Sequence, residues 1–177
     1  MRTVRIMTLS LAFLALVLLA LPLAAERGDD ATRLSKNGKT EGTISGVEVT
    51  LEYGRPNVKD RAIWGELVPH GKVWRTGANE ATTISFSADV TIEGQKLAAG
   101  TYGLFTIPGE DSWVFIFNET AEQWGAFSYD SGKDALRVSA EPRAAEHVES
   151  MDFEIEGSSV VLRWEKLSVA IEVAAAS

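Results

Sequence analysis

The sequence predicts an all-β fold, an antiparallel β-sandwich or barrel-like single domain of about nine strands. Short segments that alternate apolar and polar residues recur along the chain, and turn residues separate them at intervals typical of antiparallel sheets. The sequence contains no internal repeat and no heptad pattern that would indicate a different architecture. The length of 177 residues suits one domain with a core of its own.

The first 25 residues have the pattern of a secretory signal. Arg2 and Arg5 precede an almost wholly apolar run over 6–23, which ends in small residues. We expect the signal to be cleaved, because a charged stretch follows it, and we therefore expect export to the periplasm or the exterior. The run of about eighteen residues is also long enough to cross a bilayer, so an uncleaved membrane anchor is the alternative.

Composition constrains what holds the exported domain together and what it binds. The chain has no cysteine, so it forms no disulfide and carries no lipid-modified cysteine. Of its 17 basic and 25 acidic residues, two arginines and no acid lie within 1–25, which leaves a net charge of −10 on the rest. Such a surface repels nucleic acid and anionic membranes over most of its area. We expect no nucleic-acid partner and, after signal cleavage, no membrane partner.

The folded domain is expected to span 42–174, after a flexible spacer over 26–41. The spacer is predicted because this stretch is polar and rich in Gly and Lys, with scarcely a large apolar residue. A half-buried strand follows at 47–53, where apolar and polar residues alternate. Proline and glycines then exclude a long helix, so residues 54–72 are predicted to form one long irregular loop.

This loop needs anchors if it is to be ordered, and the remaining strands follow it as a meander. The candidate anchors are Ile63, Trp64, Leu67 and Val68. Further strands are predicted at 81–86, 90–92, 95–97, 101–107, 112–118, 135–139, 151–156, 160–164 and 167–173. Residues 119–128 interrupt this rhythm and are predicted to be a loop or a short helix.

Four segments resemble a secreted bacterial family. They are YGRP (53–56), GKVWRTGANEAT (71–82), AGTYGLFTIPG (99–109) and QWG (123–125). On these segments the chain resembles the domain of unknown function 2911 family over about residues 45–173, with Gly54 where serine is expected and Ala98 where proline is usual. The resemblance implies a coherent secreted domain and brings no established activity.

Cations and aromatic residues are concentrated between residues 53 and 83 of an otherwise acidic chain. The leading hypothesis is that this block binds a small polar or anionic ligand, such as a saccharide or an envelope fragment. Arginine offers a planar fork to carboxylates and phosphates, and tryptophan outside the strands offers a flat platform. The candidate ligand-binding residues are Arg55, Trp64, His70, Lys72, Arg75, Asn79, Glu80, Gln123 and Trp124. Trp113 and Trp164 lie within predicted strands and are expected in the core.

Two alternatives from other classes stay open. One is a hydrolase that uses Glu80 or Glu66 with His70. The other is a structural or protein-interaction domain, in which Arg75 pairs internally with Glu80 and Asn79 braces its own turn. The sequence has no nucleophile elbow and no phosphate loop, so it indicates no particular reaction and no cofactor. With two histidines and no cysteine, no metal site is predicted.

Overall fold

Two antiparallel sheets make up the part of the chain that a computed structural model describes, residues 27–176. The predicted signal over 1–25 lies outside the described residues. Two short 3-10 helices occur at Asp30–Thr32 and Ser131–Lys133. The strands within 27–176 are β1 (Lys36–Ile44), β2 (Val47–Arg55), β3 (Thr82–Phe86), β4 (Val90–Ile92), β5 (Gln95–Leu97), β6 (Gly100–Ile107), β7 (Trp113–Asn118), β8 (Asp134–Ala140), β9 (Pro142–Glu156) and β10 (Ser159–Ala175).

The first sheet has six strands in the order β1-β2-β3-β6-β7-β8, and the second has four in the order β5-β4-β10-β9. All pairings between these strands are antiparallel. The sheets do not close on each other, so the architecture is a sandwich. The prediction of an antiparallel all-β domain is confirmed, and the described residues contain ten strands where about nine were expected.

The core lies between the two sheets because alternate side chains of each strand point to the same face. Leu51 of β2 and Leu104 of β6 meet Leu162 and Ile171 of β10 in one continuous apolar cluster. Trp113 and Trp164 are buried in it, as predicted. Burial of this apolar surface has to stabilise the domain without any disulfide, since the chain has no cysteine.

Strand β1 corrects the prediction of a flexible spacer over 26–41. It pairs with β2 along its whole length, from Lys36 opposite Arg55 to Ile44 opposite Val47. Strand β1 has few large side chains because large side chains of other strands pack over it. A Cβ added at Gly38 would lie 2.5 Å from the Tyr53 ring, and one at Gly42 would lie 2.8 Å from Ile155. The small residues that suggested disorder are those over which large neighbours pack.

The C-terminal strands are longer than predicted. The segments predicted at 160–164 and 167–173 form the single strand β10, which pairs with β9. Its register with β9 shifts on both sides of Glu165, whose φ is 58°. An irregularity of this kind bends a strand without ending it, which explains why the alternation is broken there.

Irregular backbone extends from residue 56 to residue 81, whereas the loop was predicted over 54–72, because β2 continues to Arg55 and β3 begins only at Thr82. Isolated bridges fix it to the sandwich, including Trp74 to Thr106 of β6. Ile63 and Val68 are buried, as anchors should be. Leu67 is exposed, so its predicted anchoring role is wrong. The turn at 65–68 has Gly65 at φ 85° and directs Leu67 away from the core.

A second, smaller apolar cluster covers the outer face of the six-stranded sheet. Ala81, Phe105 and Ile116 are buried there, and Val73 and Tyr129 pack against them. The irregular segments before β3 and before β8 therefore meet on this face. No helix within residues 27–176 is long and apolar enough to span a bilayer.

Candidate functional site

Glu80 is held by an arginine from the N-terminal segment. Nη1 of Arg33 donates to Oε2 of Glu80 and Nη2 donates to Oε1, both at 2.5 Å. Hydrogen bonding by Arg33 lowers the pKa of the Glu80 carboxyl to about 2, against an ordinary value of 4.5. The predicted internal partner of Glu80 was Arg75, and the structure corrects this to Arg33. Glu80 is therefore a fully ionised brace rather than a free site carboxylate.

Arg27 reinforces this attachment through backbone oxygens. Its Nη2 donates to the carbonyl oxygens of Glu52 at 2.6 Å and Ala81 at 2.7 Å, while its Nη1 lies 3.9 Å from Oε2 of Glu80. Burial lowers the pKa of the Arg27 guanidinium, and the Glu80 charge opposes that shift. The segment around Arg27 and Arg33 is thus part of the fold.

Asn79 joins two segments that are distant in sequence. Its Nδ2 donates to the carbonyl oxygen of Ser35 at 3.1 Å, and its own carbonyl oxygen accepts from the amide of Gly125 at 3.1 Å. Its φ is 64°, a conformation that asparagine tolerates better than most residues. The side chain bonds Ser35 rather than its own turn, and it is already engaged in structure.

Arg55 is likewise paired within the fold. Its Nε donates to the carbonyl oxygen of Met151 at 3.1 Å, and its Nη2 lies 3.1 Å from Oδ2 of Asp152. These bonds connect the end of β2 with β9 of the other sheet. Asp152 also accepts a hydrogen bond from the Tyr53 hydroxyl. Arg55 therefore bridges the two sheets.

Trp64 is a core residue and not an exposed platform. Its ring makes edge-to-face contacts with those of Trp74, Trp113 and Trp164, with centroid distances of 6.1, 5.0 and 5.6 Å. Edge-to-face geometry is a favourable arrangement of aromatic rings in protein interiors. Trp64 is partly buried and packs with these three tryptophans against the core between the sheets.

His70 and Lys72 lie apart from the Glu80 turn. Nδ1 of His70 is 3.8 Å from Oε1 of Glu110, an exposed residue in the turn before β7, and Lys72 is exposed. The amide of Gly71 donates to the carbonyl oxygen of Pro108, which fixes this segment beside that turn. Within residues 27–176 no group of three His, Asp or Glu side chains is arranged to hold a metal ion.

Among the described candidate cations, Arg75 is the one that is partly buried and has no charged partner, whereas Lys72 is exposed. Its neighbours Trp74 and Thr76 are buried, whereas Arg75 itself is only partly buried, and Val73, two residues before it, packs on the outer face of the six-stranded sheet. Its Nε is buried and has no hydrogen-bond partner. Burial lowers its pKa, and no carboxylate of the described residues counters that shift.

Gln123 and Trp124 approach the same stretch from the loop before β8. The amide of Ala81 donates to the carbonyl oxygen of Gln123 at 2.9 Å, and the amide of Thr82 donates to that of Arg75 at 3.1 Å. Arg75 and Gln123 thus flank the Ala81–Thr82 backbone. Nε2 of Gln123 donates to the carbonyl oxygen of Thr120, whereas its Oε1 is buried without a partner. Trp124 is exposed.

The structure also contains a polar groove of about 600 Å³ that includes none of the predicted residues. Arg143, Arg163, Glu93 and Glu172 are among the residues that line it. Arg163 is neutralised within the fold, since its Nε lies 3.0 Å from Glu154 and its Nη2 2.5 Å from Glu156. Arg143, the other arginine of this groove, is exposed, whereas Arg75 is partly buried.

Sequence reasoning missed Arg27, Arg33 and Asp152. The two arginines pair with Glu80, and Asp152 pairs with Arg55. Arg27 and Arg33 fell within the predicted spacer, and Asp152 fell within an alternating strand. The charge balance was a usable signal. Residues 53–83 contain more basic than acidic residues, so a cation such as Arg55 needed a carboxylate from elsewhere in the chain. The pairings span 47 residues for Arg33 and Glu80 and 97 for Arg55 and Asp152, beyond any local pattern.

Residues 35–173 match the model of a family described as protein of unknown function (DUF2911). The chain belongs to the DUF2911 family. The match covers every described strand of the sandwich except the last two residues of β10, and it includes Arg75, Asn79, Glu80 and Gln123. Arg27 and Arg33 precede it, so in this DUF2911 protein the two arginines that hold Glu80 come from outside the matched residues. Comparison with curated proteins found no match, and comparison with solved structures found none.

Proposed function

We propose that this DUF2911 protein is an exported domain that binds a small anionic ligand at Arg75. The observation that carries the proposal is the state of the Arg75 guanidinium, which is partly buried, has a buried Nε without an acceptor and pairs with no described carboxylate. A desolvated charge without a partner is costly, so such a group is a candidate binding residue.

The contrast with other arginines supports this proposal. Arg33 and Arg55 each meet a carboxylate of the chain, at 2.5 and 3.1 Å respectively. Arg75 carries the same guanidinium group, but no carboxylate of the described residues pairs with it. A ligand carboxylate or phosphate would supply it, because either group matches the planar guanidinium fork.

Gln123 suggests a second contact. Its buried Oε1 lacks a donor, and a hydroxyl or N–H group beside the ligand's acid would provide one. Acidic saccharides and envelope fragments combine an acid with neighbouring hydroxyl groups, and they are the ligand classes that we propose.

The hydrolase alternative is less well supported. With a pKa of about 2 and both oxygens bound by Arg33, Glu80 is a weak proton acceptor near neutral pH. His70 lies beside Glu110 and not beside Glu80. Glu66 is exposed on the loop that carries Leu67. Binding without chemistry therefore accounts better for the arrangement.

Calorimetric titration of the purified protein tests the proposal. Small carboxylates, phosphates and acidic saccharides are compared with neutral saccharides. We expect saturable binding of an anionic compound, loss of that binding in Arg75→Gln and partial retention in Arg75→Lys. The matched control is Arg55→Gln, which removes an internally paired arginine and should keep binding. Absence of saturable binding, or equal binding by Arg75→Gln, would refute the proposal.

A further inference from the structure

Large hydrophobic side chains are exposed at four positions within residues 27–176. They are Leu34 at 86%, Leu67 at 44%, Trp124 at 60% and Phe127 at 89%. Single exposed hydrophobic residues are ordinary, whereas a cluster of them indicates an interaction surface. Three of the four, Leu34, Trp124 and Phe127, lie around one turn, and we call these three the apolar patch.

Hydrogen bonds and a backbone bridge place the patch around Asn79 and Glu80. Leu34 lies between Arg33, which binds Glu80, and Ser35, whose carbonyl oxygen accepts from Asn79. Trp124 forms a backbone bridge with Glu80, and the amide of Gly125 donates to Asn79.

Phe127 is held beside the same loop. A Cβ at Gly125 would lie 3.0 Å from the Phe127 ring, so the ring folds back over that glycine. The three patch residues therefore project from backbone that is hydrogen-bonded into one unit. They are exposed because of how the fold is built, and not because a loose terminus happens to carry them.

The N-terminal apolar run over 6–23 ends four residues before Arg27 in the sequence. Arg27 donates to the carbonyl oxygen of Ala81, the residue after Glu80. Four residues of fully extended chain span at most about 14 Å. A bilayer that held the run would therefore lie within about that distance of Arg27, whose side chain contacts the turn around which the patch residues lie.

We propose that residues 6–23 remain in a membrane as an anchor and that the apolar patch lies in the headgroup region of the same bilayer. The run is long enough to cross, and tryptophan with its polar N–H prefers the membrane–water boundary. The position of the patch favours the uncleaved anchor, the alternative that the sequence left open, over cleavage. The proposal does not depend on ligand binding at Arg75.

Charges around the patch indicate which lipids it would contact. Within five residues of the patch in sequence lie three basic residues, Arg33, Lys36 and Lys39, and five acidic ones, Asp29, Asp30, Glu119, Glu122 and Asp130. Acids therefore outnumber bases around the patch, and Arg33 is neutralised by Glu80. The rest of the domain is acidic, so anionic lipid would repel it. We therefore expect contact with zwitterionic lipid that depends on apolar insertion and hardly on salt.

Fluorescence quenching by brominated phosphatidylcholine tests the contact. The full chain is reconstituted in vesicles that carry bromine at defined depths, and tryptophan emission is measured. Trp124 is the exposed reporter, because the other four tryptophans pack against one another in the core. We expect quenching by bromine near the headgroups, its loss in Trp124→Phe, and at least a twofold reduction in the double variant Leu34→Ser with Phe127→Ser.

Leu67→Ser is the matched control, since Leu67 is exposed elsewhere and its removal should leave quenching unchanged. Quenching that is absent, or that persists in Trp124→Phe, would overturn the contact with the bilayer. Mass spectrometry of the protein from cell membranes tests the anchor. We expect the mass of the chain with residues 6–23 retained, and recovery solely as a soluble form that begins after residue 25 would overturn the proposal.

Discussion

Both guanidinium nitrogens Nη1 and Nη2 of Arg33 bind the Glu80 carboxylate, one to each oxygen at 2.5 Å. This pair attaches the N-terminal segment to the turn at the centre of the predicted site. A two-bond pair of this geometry is stronger than a single surface contact, because both partners are fixed in orientation. Glu80 is therefore engaged within the fold. Arg75, in the same block, has no charged partner among the described residues.

Arg33→Met is expected to lower the free energy of unfolding by about 1–2 kcal/mol, because it leaves the Glu80 carboxylate without its main partner. Urea denaturation followed by circular dichroism measures the effect. The control is Lys39→Met, which breaks the exposed pair with Glu41 and should leave the free energy of unfolding almost unchanged. Equal effects of the two variants would show that the Arg33 pair contributes no more than a surface contact.

The low pKa of Glu80 predicts an acid-dependent loss of stability. Its pKa is about 2 in the folded chain and near 4.5 when unfolded, so the unfolded state binds protons more readily in that interval. The stabilisation is present above about pH 4.5 and is lost as the pH falls toward 2. Other carboxylates titrate here too, so the measurement is the difference between the protein and Glu80→Gln. That difference should shrink between pH 6 and about pH 2.5, and a constant difference would contradict the assignment.

Arg75 and Arg55 are expected to respond oppositely to the same substitution. Arg75→Met keeps most of the aliphatic stem and removes a desolvated charge, so unfolding free energy should change by under about 0.5 kcal/mol or rise. Arg55→Met removes the charged partner of Asp152 and should cost about 1 kcal/mol. Denaturant unfolding of both variants decides the matter. A loss of about 1 kcal/mol or more in Arg75→Met would mark Arg75 as an internal brace.

Gly54 is expected to tolerate no side chain. A Cβ there would lie 2.1 Å from the carbonyl oxygen of Ala78, which is backbone and cannot rotate away. Gly54→Ser should therefore shift the turn at Ala78 and lower the unfolding free energy by about 1–3 kcal/mol. Gly132→Ala is the control, since its Cβ would meet only the Asp130 side chain at 3.2 Å. An unchanged midpoint for Gly54→Ser would contradict the close approach.

Several features of this protein could be predicted from local sequence, because they depend on neighbouring residues. The alternation over 47–53 predicted most of β2 and its buried face, and the tryptophans at 113 and 164 were predicted in the core. Strand β1 could not be predicted, since its glycines meet Tyr53 and Ile155 only once the strands have paired. A strand over which large side chains pack contains small and polar residues, and a flexible linker has a similar composition.

The sequence alone determined the fold class and the membership of the DUF2911 family, because side-chain alternation and turn residues act over a few positions. The tertiary structure decided which charged side chains form ion pairs within the fold. Arg33 reaches Glu80 across 47 residues and Arg55 reaches Asp152 across 97, and each pairing removes a candidate from the site. Arg75 stands out only after those pairs form, because the absence of a partner is a property of the folded chain and not of any segment.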